Sequence, residues 1–203
     1  MAKHQNELKW LDKPLQGLAF WIGHRRSLYH SYPLSEGALV AEVCNLIQAN
    51  RPTGMVLLPE YEYRKLVPKN TIIPEVAKKA RADLVLFHKS TERPSRSDNI
   101  SLNVRLVIEV KRGSADNAKI DEDLRRLYNY LCVSNNDARA LLFVISESRP
   151  PNRFVSGGKA VRRKITIKNC DGHFLVRRTL KAARSLCKKE TAHYVCLIEA
   201  IVG

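Results

Sequence analysis

The sequence has no long apolar run. No stretch approaches the roughly 20 consecutive apolar residues that a membrane-spanning helix needs. The first ten residues, MAKHQNELKW, are too polar for a signal peptide. We therefore expect a cytoplasmic protein that has no membrane partner.

Paired cysteines and the common catalytic motifs are also missing. The five cysteines are odd in number, scattered, and form no C-x-x-C pair, so reduced, buried thiols are the simplest interpretation. The sequence contains no Gly-rich phosphate loop, no G-x-S-x-G elbow and no paired Cys/His spacing for zinc. These absences argue against a P-loop nucleotidase, a serine hydrolase of that kind and a zinc site.

Acidic residues are scarce. Asp and Glu total 20 against 35 Lys and Arg, which gives a formal net charge of +15. Thirteen of the basic residues lie between Arg149 and Lys189, where Asp171 is the one acid. A generally solvated surface could account for a positive protein, but the concentration in one segment favours contact with a polyanion, because neutralised phosphates release counterions.

What remains is the composition of an ordinary soluble domain. The chain has 203 residues, of which 44% are hydrophobic and 27% charged. This length suits one domain with a real core and is short for two. We expect a single domain.

The most informative stretch is a predicted strand over residues 104–112, VRLVIEVKR. Its β-branched and apolar content is typical of a strand with both faces covered. Side chains alternate between the faces of a strand, so Glu109 and Lys111 point the same way. Charges in such a place are costly unless they are paired or hold a metal, which indicates a site. A structural salt bridge between Glu109 and Lys111 is the alternative.

A second apolar strand is predicted over residues 82–87, with Asp83 at its entrance. Consecutive strands often pair antiparallel, and the start of one then lies beside the end of the other. We therefore expect Asp83 to lie next to Glu109 and Lys111.

The flanking segments predict a layered α/β arrangement. A helix begins after the N-cap Ser35 and carries apolar residues at helical spacing as far as Asn50. Glu36 lies at the N-terminal end of that apolar stripe and is predicted to face inward. Glu42 borders the same stripe and is the second candidate for the acid that this helix contributes. A strand follows from residue 55, and Glu60 and Glu62 continue it on one face. These acids are the solvated side of an edge strand, counterions to the local lysines, or further acids of the site.

After Lys111, a helix over residues 120–131 leads to an apolar strand over residues 141–145. A strand, a crossover helix and a strand give a parallel pair. The predicted order from residue 34 to 146 is thus αβββαβ in a mixed sheet flanked by helices.

An Asp opening one strand, Glu-x-Lys on its neighbour and an acid on the preceding helix resemble the active site of the PD-(D/E)XK nuclease superfamily, which has the restriction-endonuclease-like fold. The resemblance covers roughly residues 34–146, and Ala82 stands where the motif has proline. It implies a Mg²⁺-dependent DNA endonuclease in which Mn²⁺ can replace Mg²⁺. The implied metal ligands are Asp83, Glu109, the Val110 carbonyl and Glu36, and Lys111 would act on the attacking water. The alternatives are a non-catalytic nucleic-acid-binding module with this fold, or an RNA-directed nuclease. A homodimer would suit double-strand cleavage.

The remaining segments are predicted to support nucleic-acid binding. Residues 1–33 form an arm with no clear period, which packs on the domain or contacts nucleic acid. Residues 147–203 form a basic extension with an exposed strand near 162–168, a helix over 176–187 and a final strand over 194–198. The helix would carry a basic ridge, with a solvated face as the alternative. The predicted nucleic-acid-binding residues are Lys78, Lys79, Arg162, Arg163, Lys164, Arg177, Lys181, Arg184 and Lys188.

Overall fold

A computed structural model describes residues 8–29, 34–88, 103–134, 137–147, 149–183 and 193–202. The helices are α1 (Asp12–Tyr29), α2 (Glu36–Asn50) and α3 (Asn117–Val133). The strands are β1 (Met55–Glu62), β2 (Arg81–His88), β3 (Val104–Arg112), β4 (Arg139–Ser146), β5 (Val155–Ser156), β6 (Lys159–Ala160), β7 (Ile165–Thr166), β8 (His173–Lys181) and β9 (Tyr194–Ile201). Seven of these strands form one mixed sheet, in the order β1-β2-β3-β4-β9-β8-β7.

The sheet contains one parallel pair among the strands described. Strand β2 pairs antiparallel with both β1 and β3. Helix α3 then connects β3 to β4, which lies parallel to β3. Strands β9, β8 and β7 continue the sheet with antiparallel pairings. The predicted α/β class and the order helix, three strands, helix, strand are confirmed for α2 through β4.

Helix α2 begins where the sequence predicted. The Ser35 side chain accepts a hydrogen bond from the Ala38 backbone N–H at 3.2 Å, which satisfies one of the free donors of the first turn. Leu39, Val43 and Ile47 are buried on the face that packs against the sheet. The apolar spacing of this segment therefore predicted both its conformation and its orientation.

Two apolar layers cover the sheet. On one face, α1 and α2 pack against side chains that include Leu84, Leu86, Ile108 and Val110. On the other face, α3 packs against the alternate residues of the same strands. This arrangement is why β2, β3 and β4 are apolar almost throughout, as a strand covered on both faces must be.

The predicted helix over 176–187 is wrong. Residues 173–181 form β8, which pairs with β9 from His173↔Ile201 to Lys181↔Tyr194. Val176 and Leu180, four residues apart, have the spacing of one helix face. In the structure a register shift between Val176 and Arg178 places the two side chains against opposite apolar layers of the sheet. Long-range pairing with β9 decided the conformation, and residues 184–192 lie outside the described part of the chain.

Other segments differ from the prediction in extent. Of the strand predicted near 162–168, only Ile165 and Thr166 form β7, whereas the final strand is confirmed as β9. Gly157 and Gly158 turn the short β5–β6 hairpin with φ values of +58° and +76°, which glycine adopts easily. No helix in the described ranges has both the length and the apolarity to cross a membrane.

The helix α1 was not predicted. Its buried residues include Leu15, Leu18, Ala19 and Ile22, which have helical spacing. Aromatic and basic residues between them, such as Trp21 and Arg25, obscured this period. The segment packs on the sheet together with α2 and is part of the core.

A buried carboxylate joins the C-terminal strands to the centre of the sheet. Glu199 of β9 is 4% exposed. Its Oε1 accepts a hydrogen bond from Arg139 Nε of β4 at 2.6 Å, and its Oε2 accepts one from Arg177 Nε of β8. One acid is therefore paired with a cation on each neighbouring strand.

We expect Glu199→Gln to lower the free energy of unfolding by about 3 kcal/mol, because it removes the buried negative charge that pairs with Arg139 and Arg177. Urea denaturation followed by circular dichroism measures this change. The control is Glu75→Gln, which removes an exposed ion pair with Arg125 and should alter stability by less than about 0.5 kcal/mol. Equal effects of the two substitutions would contradict this role for Glu199.

Candidate active site

The pairing of β2 with β3 brings the predicted acids together. The register matches Leu84 with Ile108 and Val85 with Val107, so one further step places Asp83 opposite Glu109. Asp83 Oδ2 also accepts a hydrogen bond from the Val110 backbone N–H at 2.7 Å. The predicted neighbourhood of Asp83 and Glu109 is therefore confirmed.

Glu109 is the most deeply buried acid of the group, with 3% of its surface exposed. Its Oε1 accepts a hydrogen bond from the Tyr63 hydroxyl at 2.8 Å and another from Arg126 Nη1 at 3.2 Å. Tyr63 itself is fully buried, in a single 3-10 turn that directly follows β1. Both partners come from elements outside β3, so the position of Glu109 depends on tertiary packing.

Lys111 lies between two further acids. Its Nζ is 2.8 Å from Glu36 Oε1 at the start of α2 and 3.0 Å from Asp123 Oδ2 of α3. Glu36, rather than Glu42, is thus the acid of α2 that contacts Lys111. Lys111 joins the helices on the two faces of the sheet, while Glu109 is paired with Arg126. The structure therefore differs from the alternative in which Glu109 and Lys111 pair with each other.

Two residues of α3 were missed by the sequence interpretation. Asp123 is 4% exposed, and its Oδ1 lies 3.2 Å from Arg126 Nη1. Asp123 follows Ile120 by three positions and precedes Leu127 by four, so it lies on the buried stripe of α3. An acid on a buried helix face is unusual. Its position in the apolar stripe was the feature of the sequence that could have identified Asp123.

Asp83 and Glu109 share a low-dielectric environment. Burial raises the pKa of Asp83 to about 6, although hydrogen bonds from the Val110 N–H and the Glu109 carboxyl oppose the shift. Burial and the negative charges of Asp83 and Asp123 raise the pKa of Glu109 well above its usual value, against the opposing effects of Arg126 and Tyr63. The two carboxyl groups cannot both ionise easily unless a cation joins them.

The surroundings of Lys111, in contrast, favour its charged form. Burial lowers the pKa of its ammonium group, but hydrogen bonds to Glu36 and Asp123, together with their negative charges, outweigh burial and raise the pKa above the usual value for lysine. Lys111 is therefore a fixed positive charge at neutral pH. It can donate hydrogen bonds but cannot accept a proton in this environment.

Oxygen donors of the kind that a hard divalent cation prefers lie at this place. Asp83 and Glu109 offer carboxylate oxygens, and β3 adds the Val110 carbonyl between Glu109 and Lys111. Within the described ranges no group of three or more His, Cys, Asp or Glu side chains is arranged to hold a metal. Mg²⁺ needs few protein ligands, because it keeps several of its waters. A cation between the two acids would also offset the negative charge of Asp83, which contributes to the raised pKa of Glu109.

The predicted basic residues have different surroundings. Lys78 and Lys79 are exposed in the loop before β2, five and four residues before Asp83 in the sequence. Lys181 is exposed at the end of β8, three strands from β3 and so about 14 Å across the sheet. Arg162, Arg163 and Lys164 are exposed before β7. Arg177 is engaged with Glu199, and Arg184 and Lys188 lie outside the described residues.

Glu60 and Glu62 of β1 have surroundings that differ from those of Asp83 and Glu109. Glu62 forms salt bridges with Lys65 at 3.0 Å and with Arg64 at 2.5 Å. Glu60 is exposed and has a φ of +52°, which interrupts the predicted alternation of the strand. Strand β1 is the edge of the sheet. Glu60 is solvated there, and Glu62 is a counterion to Lys65 and Arg64.

We expect Tyr63→Phe to destabilise the metal-free protein by about 1–2 kcal/mol, because a buried Glu109 oxygen loses a hydrogen-bond donor. Urea denaturation at pH 7 measures the change. The matched control is Tyr61→Phe two positions earlier, where the ring packs edge-on against Phe87; it should be close to neutral. If both substitutions have the same small effect, the hydroxyl of Tyr63 does not support Glu109.

Comparison with known proteins adds no assignment. The chain matches no family model, no curated protein and no solved structure. The functional argument therefore depends on the geometry of the site and on the charge of the chain.

Proposed function

We propose that this protein is a metal-dependent endonuclease that hydrolyses DNA phosphodiester bonds, with a core of the restriction-endonuclease-like type. The observation that carries the proposal is the placement of Asp83 beside Glu109, with Lys111 two residues further along the same strand. Positions two apart on a strand are the closest pair of side chains that can be directed at one phosphate.

Phosphodiester hydrolysis needs an activated water, neutralisation of the charge that develops on phosphorus, and stabilisation of the leaving oxyanion. Asp83, Glu109 and the Val110 carbonyl would hold Mg²⁺, with Mn²⁺ as a substitute. The ion would neutralise phosphate charge and lower the pKa of a bound water.

The surroundings of Lys111 support a role as donor. Glu36 and Asp123 fix its Nζ from two sides, and its raised pKa keeps it charged. In the proposed enzyme Lys111 orients the attacking water and offsets negative charge on the phosphate. Glu36 is then chiefly a positioning residue for Lys111, in place of the ligand role that the family resemblance implies.

The charge of the chain supports a nucleic-acid substrate. The formal net charge is +15, and Lys78 and Lys79 are exposed just before β2, the strand that carries Asp83 near its start. Such groups bind phosphates without reading the sequence. DNA is proposed over RNA because of the family resemblance of the site.

A second candidate function is a non-catalytic nucleic-acid-binding module. The observation that favours it is the burial of Glu109, whose carboxylate is already bound by Tyr63 and Arg126. A network of this kind can be purely structural. The two functions differ in whether a metal ion supports cleavage.

The test is incubation of the purified protein with supercoiled plasmid in Mg²⁺, Mn²⁺ or EDTA. We expect nicking or linearisation with either metal and none in EDTA. Asp83→Asn and Lys111→Met should each lower the rate by roughly a hundredfold or more while DNA affinity in EDTA is kept. The matched controls are Asp137→Asn, exposed at the opposite end of the sheet, and Lys13→Ala, exposed on α1; both should cut at the wild-type rate.

One outcome would replace the nuclease proposal. If the wild-type protein shifts DNA on a gel but cuts no plasmid, single strand or branched DNA with either metal, the binding module is the better description. Cleavage that persists in both Asp83→Asn and Lys111→Met would instead place the chemistry elsewhere.

We also expect the double substitution Lys78→Ala with Lys79→Ala to weaken DNA binding equally for unrelated sequences. If both lysines contact phosphates, the slope of log affinity against log salt concentration should fall by roughly 1.8. Fluorescence anisotropy in EDTA measures this slope. The control is the pair Lys9→Ala with Lys13→Ala, which removes the same charge from exposed N-terminal positions. An equal loss from both pairs would show only a dependence on net charge.

A further inference from the structure

Arg126 contacts three acids, and the proposed chemistry gives it no role. Its Nη1 is 3.2 Å from Glu109 Oε1 and 3.2 Å from Asp123 Oδ1, and its Nη2 is 3.2 Å from Glu122 Oε1. The side chain of Arg126 is 20% exposed, whereas those of Glu109 and Asp123 are 4% and 6% exposed. One guanidinium group therefore bridges the two most deeply buried acids of the site.

We propose that the Arg126 guanidinium is a built-in cation that takes the place of a second metal ion, so that the site binds one divalent ion per chain at Asp83 and Glu109. This inference rests on the proposed function and specifies its metal requirement. It assigns Arg126 a role that the resemblance to the nuclease superfamily does not imply.

The first argument is geometric. Two-metal phosphodiesterases hold their ions about 3.5–4 Å apart, on carboxylates that the ions share. Here the acid next to Glu109 on the side of α3 is Asp123, and the space between their nearest oxygens is filled by Nη1 of Arg126. A second ion shared by Glu109 and Asp123 would have to displace that guanidinium group.

The second argument is the charge balance of the site. Asp123 contacts both cations, because its Oδ2 faces Lys111 and its Oδ1 faces Arg126. When all four are ionised, the carboxylates of Glu36, Asp83, Glu109 and Asp123 carry two more charges than the two basic side chains between them. The side chain of Glu36 is 42% exposed, so solvent shares in balancing its charge, whereas the buried acids need a cation. One divalent ion balances this group, whose members are Glu36, Asp83, Glu109, Asp123, Lys111 and Arg126.

Metal binding tests the inference without relying on cleavage. Mn²⁺ titration by calorimetry gives the stoichiometry, and electron paramagnetic resonance shows whether bound Mn²⁺ ions are coupled as a pair. We expect one Mn²⁺ per chain, no coupled pair, and loss of the ion in Asp83→Asn. Two ions per wild-type chain with a coupled spectrum would overturn the inference.

Variants of Arg126 make the test independent of the wild-type count. Arg126→Met removes a positive charge beside the ion, so the Mn²⁺ affinity should rise roughly tenfold or more, with a second, weaker ion bound. Arg126→Lys keeps the charge and should bind one ion. Glu122→Gln removes only the exposed partner of Arg126 and should bind Mn²⁺ as the wild type does. If Arg126→Met has the wild-type circular dichroism spectrum but unchanged affinity and stoichiometry, Arg126 is structural and the inference is wrong.

The failure of this inference differs from the failure of the proposed function. A protein that cuts DNA and binds two coupled ions is a nuclease without the built-in cation. A protein that neither cuts DNA nor binds Mn²⁺ overturns the nuclease proposal and this inference together.

Discussion

The burial of the Glu109 carboxylate is the constraint on which the site depends. A charged group with 3% exposure is unfavourable unless other groups replace its lost hydration. Tyr63 and Arg126 supply hydrogen bonds, and each comes from a separate element. The turn after β1, the strand β3 and the helix α3 are therefore held in one relative position by a single acid. The same acid is poorly tolerated as an anion beside Asp83, which is the condition that a bound cation would relieve.

Strand directions explain why these side chains meet at one end of the central strands. The antiparallel pairing of β2 and β3 places the start of one strand at the end of the other, and the parallel pairing of β3 and β4 requires the crossover helix. That helix carries Asp123 and Arg126 back to the end of β3, while the first turn of α2 brings Glu36 to Lys111 from the opposite face. The C-terminal strands do not form a separate appendage, because Glu199 anchors them to β4 through Arg139.

The sequence predicted the parts of the structure that follow from local pattern. The N-cap Ser35, the apolar strands β2, β3 and β4, and the meeting of Asp83 with Glu109 all follow from alternation, capping and the usual pairing of consecutive strands. Strand β8 was predicted as a helix because Val176 and Leu180 have helical spacing. Pairing with β9, with a register shift after Val176, decided the strand conformation. Arg126 and Tyr63 could not be identified from local pattern, because their roles arise from contacts 17 and 46 residues away along the chain.

The most direct measurement is diffraction from a crystal grown with Mn²⁺, with data collected at the manganese absorption edge. The account predicts a single anomalous peak in each chain, within coordinating distance of both Asp83 and Glu109, about 2.1 Å for a hard divalent ion. Arg126 should still lie between Glu109 and Asp123 in that crystal. No peak, or a peak that avoids Asp83 and Glu109, would contradict the assignment of this group of side chains as a metal-dependent active site.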